Sequence, residues 1–167
     1  MTTQTITVRP ATEDDAKAAA RAKLAGALRE IRPLIGPERF RDWAQKRCSV
    51  QFTRSRIEGT GLTVVEDQGR LRALGFVRPE NLHNEEGGFY LGDFYVAEEG
   101  RGYGTALLEE LSRQAKARCG RYMWSLVFSD NTDARRFFEK RGWRHVGERP
   151  NGEVEGGILS EYRLELQ

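Results

Sequence analysis

At 167 residues with 38% hydrophobic and 31% charged side chains, the chain is long enough to bury a real core, and its 10% aromatic content excludes a disordered protein. A net charge of +2 gives no footprint for nucleic acid, and no apolar run approaches the length of a bilayer span. With residues 2–5 polar and no signal core behind them, a cytoplasmic protein of one domain over residues 1–167 is expected, without membrane or nucleic-acid partners.

Ile6-Thr-Val-Arg-Pro10 alternates apolar and polar and ends in proline, which predicts a strand at a sheet edge. Thr12 then offers an N-cap with acids behind it, and the alanine-rich run to Ile31 predicts a helix. Gly36-Pro37 restarts the chain, and Phe40, Trp43, Ala44, Val50 and Phe52 recur at helical spacing, predicting a second helix that ends between Cys48 and Ile57. Residues 62–66 and 71–77 read as two strands of a hairpin around Asp67-Gln-Gly69, and residues 88–96 as the next strand.

From Thr105 to Arg118 a helix is predicted with Tyr103, Leu107, Leu108, Leu111 and Ala115 inward. Tyr122-Met-Trp-Ser-Leu-Val-Phe128 is apolar enough for a central strand covered on both faces. A short helix from Thr132, stopped at Gly142, and strands over 143–146 and 158–166 complete the chain. No internal repeat or linker interrupts it, so an α/β domain is expected.

The strand closing on Val96 runs into Gly100-Arg-Gly-Tyr-Gly104 and a helix start. Unpaired first-turn amides and the helix dipole suit an anion there, although glycine clusters also mark plain turns. No Gly-Lys-Ser/Thr follows, which excludes a P-loop. Cys48, Cys119, His83 and His145 have no ligand-like spacing, so no metal is expected.

The order of elements resembles the GCN5-related N-acetyltransferase (GNAT) superfamily over essentially the full length. Two motifs carry the resemblance: residues 96–108, similar to the family's strand and Arg/Gln-x-x-Gly-x-Gly/Ala signature, and Asn131-x-x-Ala134-x-x-Phe137-Phe138-x-x-x-Gly142-Trp143. Arg101-x-x-Gly104-x-Ala106 fits the signature literally, whereas the apolar face of the helix favours Glu99-x-x-Gly102-x-Gly104. The resemblance implies an α/β GNAT fold: a single mixed, mostly antiparallel, twisted sheet of about seven strands, flanked by about four helices and splayed at an acetyl-CoA notch.

It further implies that the backbone of Tyr95 and Val96 binds the thioester carbonyl and pantetheine, and that amides over Arg101, Gly102, Tyr103, Gly104 and Thr105 hold the pyrophosphate. Asn131, Ala134 and Phe137 are implied at the thiol end. Phe138 stands where many members have an acid tyrosine, so that role passes to Tyr95, Tyr103, Ser129, water or no group. Asp93 is the candidate base or amine holder, or a residue that ties strand to loop. Leu91-Gly-Asp-Phe-Tyr-Val96 resembles the diamine and polyamine acetyltransferases, with Gly92 where those carry glutamate.

For the acceptor, Arg29, Arg32, Trp43, Glu85, Glu86, Glu148, Glu153 and Glu155 are the candidates, the acidic ones suiting a cationic amine or simply being solvated. The expected function is acetyl-CoA-dependent acetylation of a primary amine, of a small molecule first and a peptide terminus second, by direct attack in a ternary complex. The alternative is an acyl-CoA-binding sensor without turnover. A homodimer is left open by the relatives' habit of pairing through sheet edges.

Overall fold

The computed structural model describes residues 5–167, so of the polar opening over residues 2–5 only Thr5 falls among the described residues. The elements are β1 (Ile6–Pro10), α1 (Ala16–Glu30), α2 (Arg32–Ile35), α3 (Pro37–Arg47), α4 (Val50–Glu58), β2 (Thr63–Asp67), β3 (Arg70–Pro79) and β4 (Gly88–Val96). After these come α5 (Tyr103–Ala117), β5 (Tyr122–Phe128), α6 (Thr132–Glu139), β6 (Arg144–Pro150) and β7 (Ile158–Glu165). They build a mixed seven-stranded sheet in the order β1-β2-β3-β4-β5-β7-β6, with β1 at an edge as its closing proline requires. Strand β4 pairs with β5 in parallel over Gly88–Tyr90 against Tyr122–Trp124, whereas β1 with β2, β2 with β3, β5 with β7 and β6 with β7 pair antiparallel.

The chain forms two compact units, one from the described residues up to Phe76 with Asp93–Leu111, the other from Val77–Gly92 with Ser112–Gln167. In the first, Ala16, Ala19, Ala20 and Ala27 of α1 are buried together with Val64, Val65, Leu74, Leu107 and Leu111. The inward face of α5 is the one expected: Tyr103, Leu107, Leu108, Leu111 and Ala115 are all 5% exposed or less. The α1 start is fixed by Asp15, whose carboxylate accepts from the Thr12 amide at 2.8 Å and from the Arg9 guanidinium at 2.7 and 3.0 Å. Arg9 thereby holds the Asp15 carboxyl down to about 2.

One difference from the sequence expectation lies in the second helix, which is two. The chain breaks at Cys48, and Ser49 opens α4 by accepting from the Phe52 amide at 3.1 Å, an N-cap that a reading of apolar spacing alone passes over.

In the second unit Tyr122 and Met123 of β5 are fully buried, and Trp124 packs with Leu82, Tyr90 and Leu126. The Tyr122 hydroxyl accepts from the Leu82 amide at 2.9 Å and donates to the Glu85 carbonyl at 2.5 Å, and the Trp124 indole donates to the Glu80 carbonyl at 2.8 Å. Two buried aromatics thus tie down the loop before β4.

Candidate active site

Asp93 interrupts β4 with φ 47, a left-handed conformation that Asp and Asn tolerate better than other residues with a side chain. Its carboxylate is held by Lys23 Nζ of α1 at 3.2 Å and by Arg56 Nε of α4 at 3.0 Å. The Lys23 side chain is 2% exposed and that of Asp93 12%. Burial pushes the Lys23 ammonium below the ordinary lysine range, while Asp93 pulls it back. With both oxygens bound by cations, the Asp93 carboxylate joins two helices to the strand.

Tyr95 lies two residues on, half-buried, with its ring centroid 6.3 Å from that of Trp43 and 5.6 Å from Lys23 Nζ. The strand end beyond it is gripped by Arg29 of α1, whose guanidinium donates to the carbonyls of Val96 at 2.6 Å and Ala97 at 2.9 Å. The Ala97 amide donates to the Arg72 carbonyl at 2.8 Å. Helix α1 reaches the strand this closely because residue 26 is glycine: a Cβ there would stand 2.9 Å from the Val96 carbonyl oxygen and 3.3 Å from Tyr95 Cβ.

The loop that follows turns at Gly100 (φ 78) and Gly102 (φ 79). The Ala106 amide donates to the Gly102 carbonyl at 3.1 Å across the loop, so residues 103–105 form the first turn of α5. Arg101 is exposed, with Nε 3.3 Å from Glu98. Tyr103 points inward and donates its hydroxyl to Asp67 at 2.5 Å; that bond, with burial, raises its pKa and removes it from the candidate acids.

In the second unit Asn131 caps α6, its carboxamide oxygen accepting from the Ala134 amide at 3.1 Å. Ala134 is half-buried, and the Phe137 ring carries the Arg141 guanidinium 3.6 Å from its centroid. Phe138 is 5% exposed and packs on Trp143 at 4.9 Å and Tyr162 at 6.2 Å between centroids. Ser129 shares a hydrogen with Ser160 at 2.8 Å. The Tyr162 hydroxyl accepts from Arg135 Nε at 2.9 Å and donates to Glu139 at 2.7 Å, so the tyrosine stacked on Phe138 has both its hydrogen bonds within the second unit.

Among the acceptor candidates, Arg29 is committed to the backbone of β4, Glu85 is ion-paired with Arg163, and Glu148 stands 3.8 Å from His145. Glu161, 1% exposed, meets His83 at 3.0 Å and Arg149 Nε at 3.0 Å, an ion-paired cluster inside the second unit. Among the described residues no group of three or more His, Cys, Asp and Glu is placed to hold a metal ion, and no helix is long and apolar enough to cross a membrane. Both cysteines are free thiols.

Sequence reasoning missed Lys23, Gly26 and Arg56. Lys23 had a signal: it occupies the inward stripe of α1 set by Ala16, Ala19, Ala20 and Ala27, where a charge must have a buried partner. Nothing local marks Arg56, because its partner lies 37 residues away in sequence.

A mixed sheet whose fourth strand is turned by an acid and ends in a glycine loop before a helix defines an open α/β fold with a helix start of the kind that suits an anion. Matching the sequence to family profiles gives the acetyltransferase (GNAT) family over residues 28–143, and the chain belongs to that family. Membership makes it an N-acetyltransferase.

Similar solved folds include a GCN5-related N-acetyltransferase from Rhodopseudomonas palustris (22% identity, 99% of each chain, TM-score 0.79). The PaiA N-acetyltransferase of Thermoplasma acidophilum, in complex with coenzyme A, is 13% identical over 94% of this chain and 98% of its own, with TM-score 0.77. The yncA protein of Salmonella typhimurium, with acetyl-CoA, is 21% identical over 97% and 94%, with TM-score 0.68. At these identities the likeness is one of fold. No curated protein matches the chain by sequence.

Proposed function

We propose that the chain acetylates a primary amine of a small molecule, by direct transfer in a ternary complex with acetyl-CoA. The observation that carries this reading is the pinned end of β4: two carbonyls clamped by Arg29, then a loop turned by Gly100 and Gly102 that delivers the first-turn amides of α5. Rigid main-chain donors at a helix start fit a pyrophosphate, since they are already aimed and the dipole favours the anion. Acetyl-CoA, when bound, supplies an acetyl group activated as a thioester.

The chain's own part is then to hold and to orient. Amides over Arg101, Gly102, Tyr103, Gly104 and Thr105 take the phosphate end, and the backbone of Tyr95 and Val96 positions the reacting end; Asn131, Ala134 and Phe137 keep their cofactor role on the motif alone. Tyr95 is the hydroxyl we assign to proton transfer, with Asp93 as the positioning residue behind it. Direct transfer is favoured by Cys48, the thiol near this site, which burial pushes up to about 11 and keeps neutral, a poor nucleophile. Two free thiols also suit the cytoplasm, where we place the reaction.

Calorimetry with CoA, followed by thiol release from acetyl-CoA across an amine panel, tests the reading. Binding and turnover with intersecting initial-rate lines are expected. Parallel lines would mean a covalent acetyl-enzyme, and binding without thiol release for any amine would mean a sensor.

A further inference from the structure

Tyr103 opens α5 with its ring turned into the first unit, and what its hydroxyl meets there is polar. It donates to Oδ2 of Asp67 at 2.5 Å, and the two residues are 2% and 1% exposed. The other carboxylate oxygen, Oδ1, is buried without a hydrogen-bond partner among the described residues, and so is Nε of Arg72. Arg72 lies near enough to act on the Tyr103 hydroxyl as a positive charge. Buried polar atoms without partners are costly, and apolar side chains of similar volume would fill this place without that cost. Core stability therefore does not account for the group.

What the bond does fix is direction. Asp67 closes β2 and pairs with Arg70 across the tight turn of Gln68 (φ 53) and Gly69 (φ 72), so it stands on a hairpin. The loop before α5 is joined to that same hairpin: the Ala97 amide donates to the Arg72 carbonyl at 2.8 Å, and Arg72 Nη1 lies 3.7 Å from Glu98. A short bond from the hairpin to the first residue of α5 sets the rotation of the helix start, and the backbone of residues 103–105 turns with it.

We propose that Asp67 is a positioning residue for the cosubstrate: by holding the Tyr103 hydroxyl it aims the first-turn amides of α5 at the pyrophosphate of acetyl-CoA. It acts through Tyr103 and does not touch the cosubstrate. The inference rests on the reading that puts the pyrophosphate on the backbone of residues 101–105. Main-chain donors bind well because they are already aimed, so a helix start that slips in direction loses grip on the phosphate end and leaves the thioester end as it was.

The test compares acetyl-CoA with S-acetylpantetheine, which carries the same thioester and lacks the pyrophosphate. For Asp67→Leu, similar in volume but without an acceptor, KM for acetyl-CoA is expected to rise at least about fivefold with kcat held. Its kcat/KM for S-acetylpantetheine is expected to stay at the wild-type value. Asp67→Asn keeps an acceptor oxygen for the Tyr103 hydroxyl and should restore the KM for acetyl-CoA. A merely structural role lowers kcat/KM for both cosubstrates alike, so equal losses overturn the proposal, as does an unchanged KM in Asp67→Leu. Where Asp67→Leu fails to fold, the double variant with Tyr103→Phe removes both polar groups at once and is read in the same way.

Should no amine turn over, a calorimeter reads CoA affinity directly. Weaker binding by Asp67→Leu than by Asp67→Asn supports the proposal, and equal binding overturns it. A wild-type protein that uses S-acetylpantetheine as well as acetyl-CoA would strike the pyrophosphate reading, and this inference with it.

Discussion

Lys23 Nζ lies 3.2 Å from Asp93 Oδ1, so the inward face of α1 is joined by an ion pair to the left-handed turn of β4. Charge counting around that pair predicts an asymmetry. Lys23→Met leaves Asp93 balanced by Arg56 and puts an apolar side chain among the rings of Phe52 and Tyr95, so the cost is expected below about 2 kcal/mol. Asp93→Asn leaves two cations without their carboxylate and is expected to cost about 3–5 kcal/mol. Asn tolerates the same backbone conformation as Asp, so the difference reports charge rather than strain. Urea unfolding of both variants measures it, and a larger loss for Lys23→Met would contradict the counting.

Gly26→Ala sets two effects against each other. In a helix interior Ala gains about 1 kcal/mol over Gly. Here the added Cβ meets the Val96 carbonyl oxygen at 2.9 Å, backbone that is also clamped by Arg29, and overpacking of this kind costs about 1–3 kcal/mol. The clash outweighs the propensity, so the variant is expected to be less stable and, because the strand end must shift, to bind CoA more weakly. Greater stability with unchanged CoA affinity would show that α1 and β4 have room to separate.

What the sequence made legible was local or motif-borne. The inward stripe of α5, the apolar run of β5 and the edge position of β1 each follow from periodicity or a proline, and each is found where expected. The acetyltransferase family and its glycine loop were legible because two spaced motifs coincide. The surroundings of Asp93 were not. Its partners come from 70 and 37 residues away, and no periodicity encodes which buried cation meets which strand acid. The same holds for the network of Arg135, Glu139 and Tyr162: the helix pair is visible at four-residue spacing, but the strand hydroxyl between them is not.

Asp15 gives a pH dependence with a definite sign. Arg9 holds its carboxyl at about 2 in the folded protein against an ordinary 3.8, so the folded state binds that proton less readily than the unfolded chain. The stabilisation is present above the ordinary value and is lost as pH falls from there through about 2. Urea midpoints measured across this window should fall with pH, and Asp15→Asn should flatten the fall. An Asp15 carboxyl titrating at its ordinary value by NMR would remove the effect.

Gly104→Asp probes the phosphate assignment with a change that the helix itself accommodates. An acid in the first turn of α5 interacts favourably with the dipole by about 0.3–1 kcal/mol, which offsets part of the cost of placing a side chain at this buried position. If the amides of this turn hold the pyrophosphate, the new carboxylate stands about 4 Å from it, and like charges at that separation near a protein surface repel by about 4 kcal/mol. CoA affinity is therefore expected to fall by at least about 100-fold. Gly104→Ala, which adds a methyl without charge, should lose far less. Calorimetry on both variants, with circular dichroism to establish that they are folded, decides the matter: a folded Gly104→Asp protein that keeps its affinity places the phosphate elsewhere.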